Sequence, residues 1–120
     1  MPVTLNLNRQ GELVTLQNAA AGAANGAALD VTNAVGVIFE VSGTFTNLTV
    51  NWEGSVDGGA TYWSLGVAPL TTKTLATTAT ATGLYQLVNV AGLTHVRTRI
   101  TAAGPTGSMT VKAARVEVLA

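Results

Sequence analysis

Residues 36–45, GVIFEVSGTF, alternate their side chains in the manner of a β-strand. Val37, Phe39 and Val41 share one parity, and Glu40 and Ser42 share the other. A period of two residues places successive side chains on opposite faces of a strand. The stretch therefore predicts a half-buried strand whose inner face carries Val37, Phe39 and Val41.

The same alternation continues in residues 47–57, NLTVNWEGSVD. Its predicted inner face consists of Leu48, Val50, Trp52 and Val56. Its predicted outer face consists of Thr49, Asn51, Glu53, Ser55 and Asp57. The intervening SGTFTN, residues 42–47, predicts a turn between two strands.

Three later segments are also of strand length and are bounded by Gly or Pro: LYQLVNV, THVRTRIT and SMTVKAARVEVL. Short strands with regular turn signals and no helical period are typical of all-β domains. The sequence predicts a single domain over residues 1–120. We expect an antiparallel β-sandwich, jelly-roll or immunoglobulin-like, with about seven to nine short strands and little or no helix.

The N-terminal region is less regular than the rest of the chain. Residues 18–30, NAAAGAANGAALD, are small and interrupted by glycines, so they can bury little apolar surface. We interpret them as a loop or one loose turn, and whether residues 18–29 are ordered alone stays open. Residues 1–28 are predicted to form an arm that reaches a neighbouring subunit.

The amino-acid composition argues against some classes of function. Six Lys/Arg balance six Asp/Glu, and only 10% of residues are charged. Nucleic-acid-binding surfaces are normally basic, so no direct nucleic-acid partner is predicted. The absence of cysteine excludes disulfides and thiolate metal sites.

The start of the chain, MPVTLNLNRQ, lacks the basic and apolar regions of a signal peptide. No apolar run approaches the ~20 residues of a membrane-spanning helix. These features predict a soluble protein made in the cytoplasm, with no membrane partner.

Residues 51–65, NWEGSVDGGATYWSL, contain the strongest local signal. Asp57 and the two glycines after it predict a hairpin, because glycine accepts the positive φ of a tight turn. The spacing S-x-D-x-G-x-T from Ser55 to Thr61 resembles the Asp-box of sialidases, although Tyr62 stands where that motif has Trp. The Asp-box is a structural hairpin, so this resemblance implies no catalytic residue.

Glu53 and Asp57 are the two carboxylates of this stretch that a glycosidase could use. Their backbones would lie ~13 Å apart on one face of a strand, whereas glycosidase carboxyls lie roughly 5 to 9.5 Å apart in a cleft. We therefore predict solvated turn carboxylates and no catalytic residue.

His95, Arg97 and Arg99 form a basic stripe on one face of a strand. The stripe could bind an acidic protein surface or an anion. It could also pair across the sheet with Glu40, Glu53 or Glu117, and we favour this internal pairing. The sequence contains no G-x-S-x-G motif that would supply a serine nucleophile for His95. The carboxylates are scattered along the chain, so no metal site or cofactor is predicted.

The aromatic residues are predicted to lie on different faces of their strands, according to the parity of their positions. Trp52 and Trp63 are predicted to face inward and pack in the core. Tyr62 and Tyr85 are predicted to face outward, where they could form a platform for carbohydrate.

The order of these segments resembles the small β-sandwich virion proteins of tailed bacteriophages. The resemblance covers residues 37–116 and is carried by VIFEVSGTF, VNWEGSVDGGATYWSL, a Thr/Ala-rich connection, GLYQLVNVAGLTHVRTRIT and GSMTVKAARV. It implies a structural protein of the capsid decoration, head-fibre or tail-module type, and no enzyme.

Among these roles the sequence favours capsid decoration, because a small, neutral domain suits packing against a shell. The expected partners are the major capsid protein and copies of the same chain, in a homo-oligomer such as a trimer. The expected location is the virion, after synthesis in the host cytoplasm. The alternative is a phage tail or fibre module that binds host-surface carbohydrate or a receptor. A hydrolase is the least favoured class.

Overall fold

The computed structural model describes residues 8–87 and 89–118 and shows an all-β fold. No described residue is helical, and all strand pairs are antiparallel, which confirms the predicted fold class. No membrane-spanning helix occurs among the described residues. The strands are β1 (Asn8–Gln10), β2 (Val14–Ala20), β3 (Ala24–Asn25), β4 (Leu29–Asp30), β5 (Ala34–Ser55), β6 (Trp63–Ser64), β7 (Ala68–Pro69), β8 (Thr78–Ala79), β9 (Gly83–Leu87) and β10 (His95–Val118).

Two long strands, β5 and β10, form the centre of the sheet. They pair from Ala34 opposite Glu117 to Ser55 opposite His95. The other edge of β10 pairs with β1, β2, β3 and β4, and the other edge of β5 pairs with β6, β8 and β9. Strand β7 then pairs with β9. The sheet edges are therefore formed largely by short strands, which limit edge-to-edge aggregation.

The central pair bends sharply and folds the sheet over itself. Phe39 and Trp52 are thirteen residues apart in β5, which is ~43 Å along a straight strand. Their ring centroids are nevertheless 4.7 Å apart. Trp52 also lies 5.2 Å from the ring of Tyr85, the cross-strand neighbour of Phe39. One continuous sheet thus supplies both layers of a sandwich.

Two glycines permit the bend. Gly43 and Gly107 have φ angles of 111° and 74°, which only glycine adopts without cost. A Cβ on Gly43 would collide with the carbonyl of Ser108, and a Cβ on Gly107 with that of Thr44. The prediction of a turn at residues 42–47 is wrong, because the segment belongs to β5 and residues 42–46 stay paired with β10. Within this segment the pairing is irregular only at Asn47, opposite residues 103–105.

A single apolar core fills the space between the layers. The predicted inward positions from Val37 to Trp52 are confirmed. The large side chains that are almost completely buried are Trp52, Phe39, Leu48, Ile100, Met109, Val31, Val37, Val41, Val50, Val67, Val96 and Val111. Two predicted core residues are exposed instead: Val56 is 64% and Trp63 is 68% accessible. Trp63 has the predicted parity, since it lies opposite Gly54, whereas Val56 follows the end of β5 and lies in a bend.

The N-terminal segment is more regular than predicted. Within residues 18–29, which we interpreted as a loop, Asn18–Ala20 lie in β2, residues 24–25 form β3 and Leu29 begins β4. Gln17 is buried and donates side-chain hydrogen bonds to the carbonyls of Ala24 and Thr98. The described part of the predicted arm, residues 8–28, therefore lies on the edge of β10. Residues 1–7 lie outside the described residues.

Candidate functional site

A charge cluster on the outer face of the sheet consists of the buried Glu53 and the partly exposed Arg97 and Arg99. Glu53 in β5 lies opposite Arg97 in β10. Arg97 Nε donates to Glu53 Oε1 at 2.9 Å, and Arg99 Nε donates to Oε2 at 3.1 Å. Each carboxylate oxygen thus has its own guanidinium, and Glu53 is only 9% accessible. The prediction of internal pairing for the two arginines is confirmed, with Glu53 as the partner.

Tyr62 covers this cluster. The Arg97 guanidinium carbon lies 3.9 Å from the centroid of the Tyr62 ring, within the range of a cation–π contact. The stack was not predicted from the sequence. The register of the hairpin could have indicated this stack. Trp63 lies opposite Gly54, which places Tyr62 on the outer face of the sheet, close to Arg97.

The predicted carbohydrate platform is not formed. Tyr85 is 4% accessible, so the prediction that it faces outward is wrong. Burial raises the pKa of its phenol, and its hydroxyl donates to the carbonyl of Ala81. One face of the Tyr62 ring is occupied by Arg97. Trp63 is the aromatic side chain that the fold exposes most among the described residues.

His95, the third residue of the predicted stripe, lies beside the cluster rather than in it. Its Nδ1 is 3.2 Å from Thr94 Oγ1, and its backbone lies opposite Ser55 on one side and Asp30 on the other. The pKa of Asp30 is lowered mainly by hydrogen bonds from Thr32, and the charge of His95 adds to this effect.

The Asp-box spacing forms a closed hairpin, as predicted. Ser55 Oγ donates to Asp57 Oδ1 at 2.7 Å and accepts the N–H of Gly59 at 2.9 Å. The Thr61 N–H donates to the same carboxylate oxygen at 2.9 Å. These bonds lower the pKa of Asp57, with the Ser55 hydroxyl as the largest cause. The carboxylate therefore stabilises its own turn.

Three surface depressions have linings that carry little chemistry. One of about 260 Å³ is lined by residues 23–25 and 99–101. A second of about 280 Å³ is lined by Asn47, Thr49 and residues 101–103. A third of about 280 Å³ lies between Pro69 and Tyr85. None of the three is lined by a carboxylate or histidine, and no group of three metal-ligating side chains occurs among the described residues. That Glu53 and Asp57 are not catalytic stays a prediction.

Comparison with known proteins identifies the family. The model of the XepA family matches residues 10–115, and the chain belongs to this family. The chain is similar in structure to the SPBc2 prophage-derived protein YomS, with a TM-score of 0.82 and 22% identity over 97% of this chain and 100% of that one. It is also similar to the PBSX exported protein XepA, with a TM-score of 0.82 and 20% identity over 96% of this chain, but it spans only 40% of XepA. No curated protein matches the sequence.

Proposed function

We propose that this member of the XepA family is a non-enzymatic phage structural protein that acts by binding other protein surfaces. The more specific form of the proposal is capsid decoration, in which copies bind the major capsid protein and one another. Support for a phage origin comes from the structural relative YomS, which is described as prophage-derived. The protein would be made in the host cytoplasm and would act in the virion.

The observation that carries the proposal is the contrast between the neutralised charge cluster and the exposed apolar side chains. Both oxygens of Glu53 are occupied by arginines, so the cluster offers no free carboxylate for chemistry. Large apolar side chains instead reach solvent at several points: Leu13, Val35, Val56, Trp63, Leu70, Leu75 and Leu84. A surface without net charge favours association with other protein surfaces, and these side chains are the apolar groups available for such contacts.

Decoration would stabilise a shell by mass action. A protein that binds only the assembled shell shifts the equilibrium away from the dissociated state. Many weak contacts then act together, because each bound copy raises the effective concentration of the next contact. The small, cysteine-free sandwich needs no cofactor for this function.

A second candidate function is action outside the producing cell. The relative XepA is described as an exported protein, and this favours a role at the host surface or in the medium. In that setting the exposed Trp63 would be the contact residue for a host carbohydrate or receptor, as in a tail or fibre module. Aromatic side chains are common anchors in binding sites.

The test is the amount of the protein in purified particles. Phage particles from an induced culture should contain it in a copy number comparable with that of the major capsid protein, measured by quantitative mass spectrometry. A few copies per particle would contradict decoration and favour the tail module. Absence from particles, with the protein in the particle-free medium, would favour export.

The non-enzymatic part of the proposal has a separate test. The purified protein should release no product from cell-wall glycan or capsular polysaccharide. Hydrolysis that disappears in a folded Glu53→Gln or Asp57→Asn variant would contradict it.

A further inference from the structure

The cluster of Glu53, Arg97 and Arg99 neutralises its carboxylate and keeps one positive charge in excess. Two guanidinium groups share one carboxylate, and both hydrogen bonds use the Nε atoms of the arginines. The terminal Nη groups make no hydrogen bond within the described part of the chain. Tyr62 stacks on Arg97, whose side chain is 25% accessible, whereas that of Arg99 is 41% accessible. Arg99 is therefore the group through which the excess charge reaches solvent.

The neighbours of Arg99 in the sheet do not neutralise this charge. Asn25 of β3 and Asn51 of β5 lie directly opposite Arg99 on its two sides, and both carry uncharged amides. The other two glutamates of β5 and β10 have basic residues beside them, which are Lys112 for Glu40 and Arg115 for Glu117. Within the described residues, Arg99 thus has the shared Glu53 as its acidic partner and can accommodate a further anion.

The depression of about 260 Å³ beside Arg99 contains no catalytic group but is rich in hydrogen-bond donors. It is lined by residues 23–25 and 99–101, and its hydrogen-bonding side chains are those of Arg99, Asn25 and Thr101. Thr101 Oγ1 accepts a hydrogen bond from Asn51 Nδ2 at 3.3 Å, so its own hydrogen is free to donate. The Asn25 side chain is exposed. Asn25 lies one strand spacing, ~5 Å, from Arg99, and Thr101 lies two residues, ~7 Å, along β10.

We propose that this depression binds the carboxylate of an acidic sugar, of the kind that a uronic-acid residue presents in a host-surface polysaccharide. The two Nη groups of Arg99 match the two oxygens of a carboxylate, and a single excess charge suits a single negative charge. The Asn25 amide and the Thr101 hydroxyl then lie within reach of hydroxyl groups on the same sugar ring. The inference rests on the second candidate function and assigns it a ligand class and a site separate from Trp63.

Two other anionic partners fit the site less well. Nucleic-acid binding normally depends on several phosphate contacts from basic side chains, whereas this cluster has one excess charge. An acidic peptide side chain would engage Arg99 alone and would leave the amide and hydroxyl donors of the depression without partners. An acidic sugar uses all three groups.

The experiment is a titration of the full, ¹⁵N-labelled chain, followed by nuclear magnetic resonance. The probes are glucuronate and glucose, because glucose lacks the carboxylate and otherwise offers similar ring hydroxyls. Glucuronate should shift the amide signals of residues 23–25 and 99–101, and glucose at the same concentration should not.

Three variants assign the binding to the depression. Arg99→Gln should weaken glucuronate binding at least about tenfold, because a charge-assisted contact is lost. Thr101→Val keeps every charge and should weaken it about two- to tenfold, through the loss of one neutral hydrogen bond. Lys73→Gln removes one positive charge from an exposed position elsewhere and should bind as the wild type does. The dispersion of the amide signals establishes that each variant is folded.

Several results would overturn the inference. These are no shift with glucuronate, equal shifts with glucose, or unchanged glucuronate affinity in Arg99→Gln. A single-stranded DNA oligonucleotide or a glutamate-rich peptide that binds as tightly as a glucuronate oligosaccharide of similar charge would overturn the choice of a sugar as the ligand. The titration uses purified protein, so its failure is distinguishable from a failure of the proposed function, which is tested by the copy number in particles.

Discussion

Replacing Gly107 with alanine should destabilise the protein far more than the same change at Gly104. Both glycines have left-handed backbone angles, with φ values of 74° and 63°. A side chain in that region costs about 1 kcal/mol by itself. A Cβ at position 104 meets no atom within 4 Å, whereas a Cβ at position 107 would collide with the backbone of Thr44 and Phe45. The two variants therefore share the backbone cost and differ in the collision.

The collision cannot be relieved by a side-chain rotation, because the atoms met belong to the backbone of β5. Overpacking of this kind costs about 1 to 3 kcal/mol, so Gly107→Ala should lose about 2 to 4 kcal/mol in total. With an m value of about 1.5 kcal/mol per M, a loss of 3 kcal/mol lowers the urea midpoint by about 2 M. Gly104→Ala should lower it by less than about 1 M.

Urea unfolding followed by circular dichroism measures both variants. Equal midpoints for the two would refute the argument that the bend requires close approach of β5 and β10 at Gly107. A second readout is the near-ultraviolet signal of Trp52, which should weaken in Gly107→Ala if opening the bend separates Trp52 from Phe39.

Two further predictions concern charges. Asp57→Asn should lower the thermal unfolding midpoint at neutral pH. As the pH is lowered into the acid range, the midpoint of this variant should also decrease less than that of the wild type. The pKa of Asp57 in the folded state is depressed below its ordinary value of 3.8. The stability that the ionised carboxylate contributes is therefore present above the unfolded-state pKa and is lost as the pH falls below about 4. A pH series of thermal melts that is identical for the wild type and the variant would contradict this. Glu53→Gln should cost about 2 kcal/mol, between the values for exposed and buried ion pairs, because Arg97 and Arg99 remain beside a neutral amide. Glu40→Gln is the control, and equal urea midpoints for the two variants would show that the cluster contributes nothing.

The alternation of side chains predicted the strands and most of the core correctly. Val37, Phe39, Val41 and Trp52 are inward because a period of two residues is a local property of the chain. Trp63 has the predicted parity, but its burial depends on which residues pack against it, which no local pattern records. Val56 lies beyond the end of β5, so the alternation does not apply to it. Tyr85 was predicted to face outward and is buried instead, because it lies opposite the inward-facing Phe39.

The bend and the N-terminal strands were missed for a related reason. Residues 42–47 contain turn-forming types, yet residues 42–46 stay paired with β10, where Gly43 and Gly107 allow the two backbones to approach closely. The small residues of β3 have little strand preference of their own. They are extended because the edge of β10 offers them backbone partners. The internal pairing of Arg97 and Arg99 was predicted correctly. The sequence left Glu40, Glu53 and Glu117 open as partners, and the register of β5 and β10 selects Glu53.

The position of β10 in the sheet has a consequence for biosynthesis. Five of the strands that precede it in the chain pair with it directly: β1, β2, β3, β4 and β5. During translation these segments are complete before their shared partner exists, and their apolar faces stay unpaired until residues 95–118 leave the ribosome. Long-range pairing of this kind slows folding and exposes unpaired strands to aggregation. A ribosome that stalls before residue 95 should therefore carry a chain that chaperones bind, and release of that chain should yield aggregate rather than a smaller folded domain.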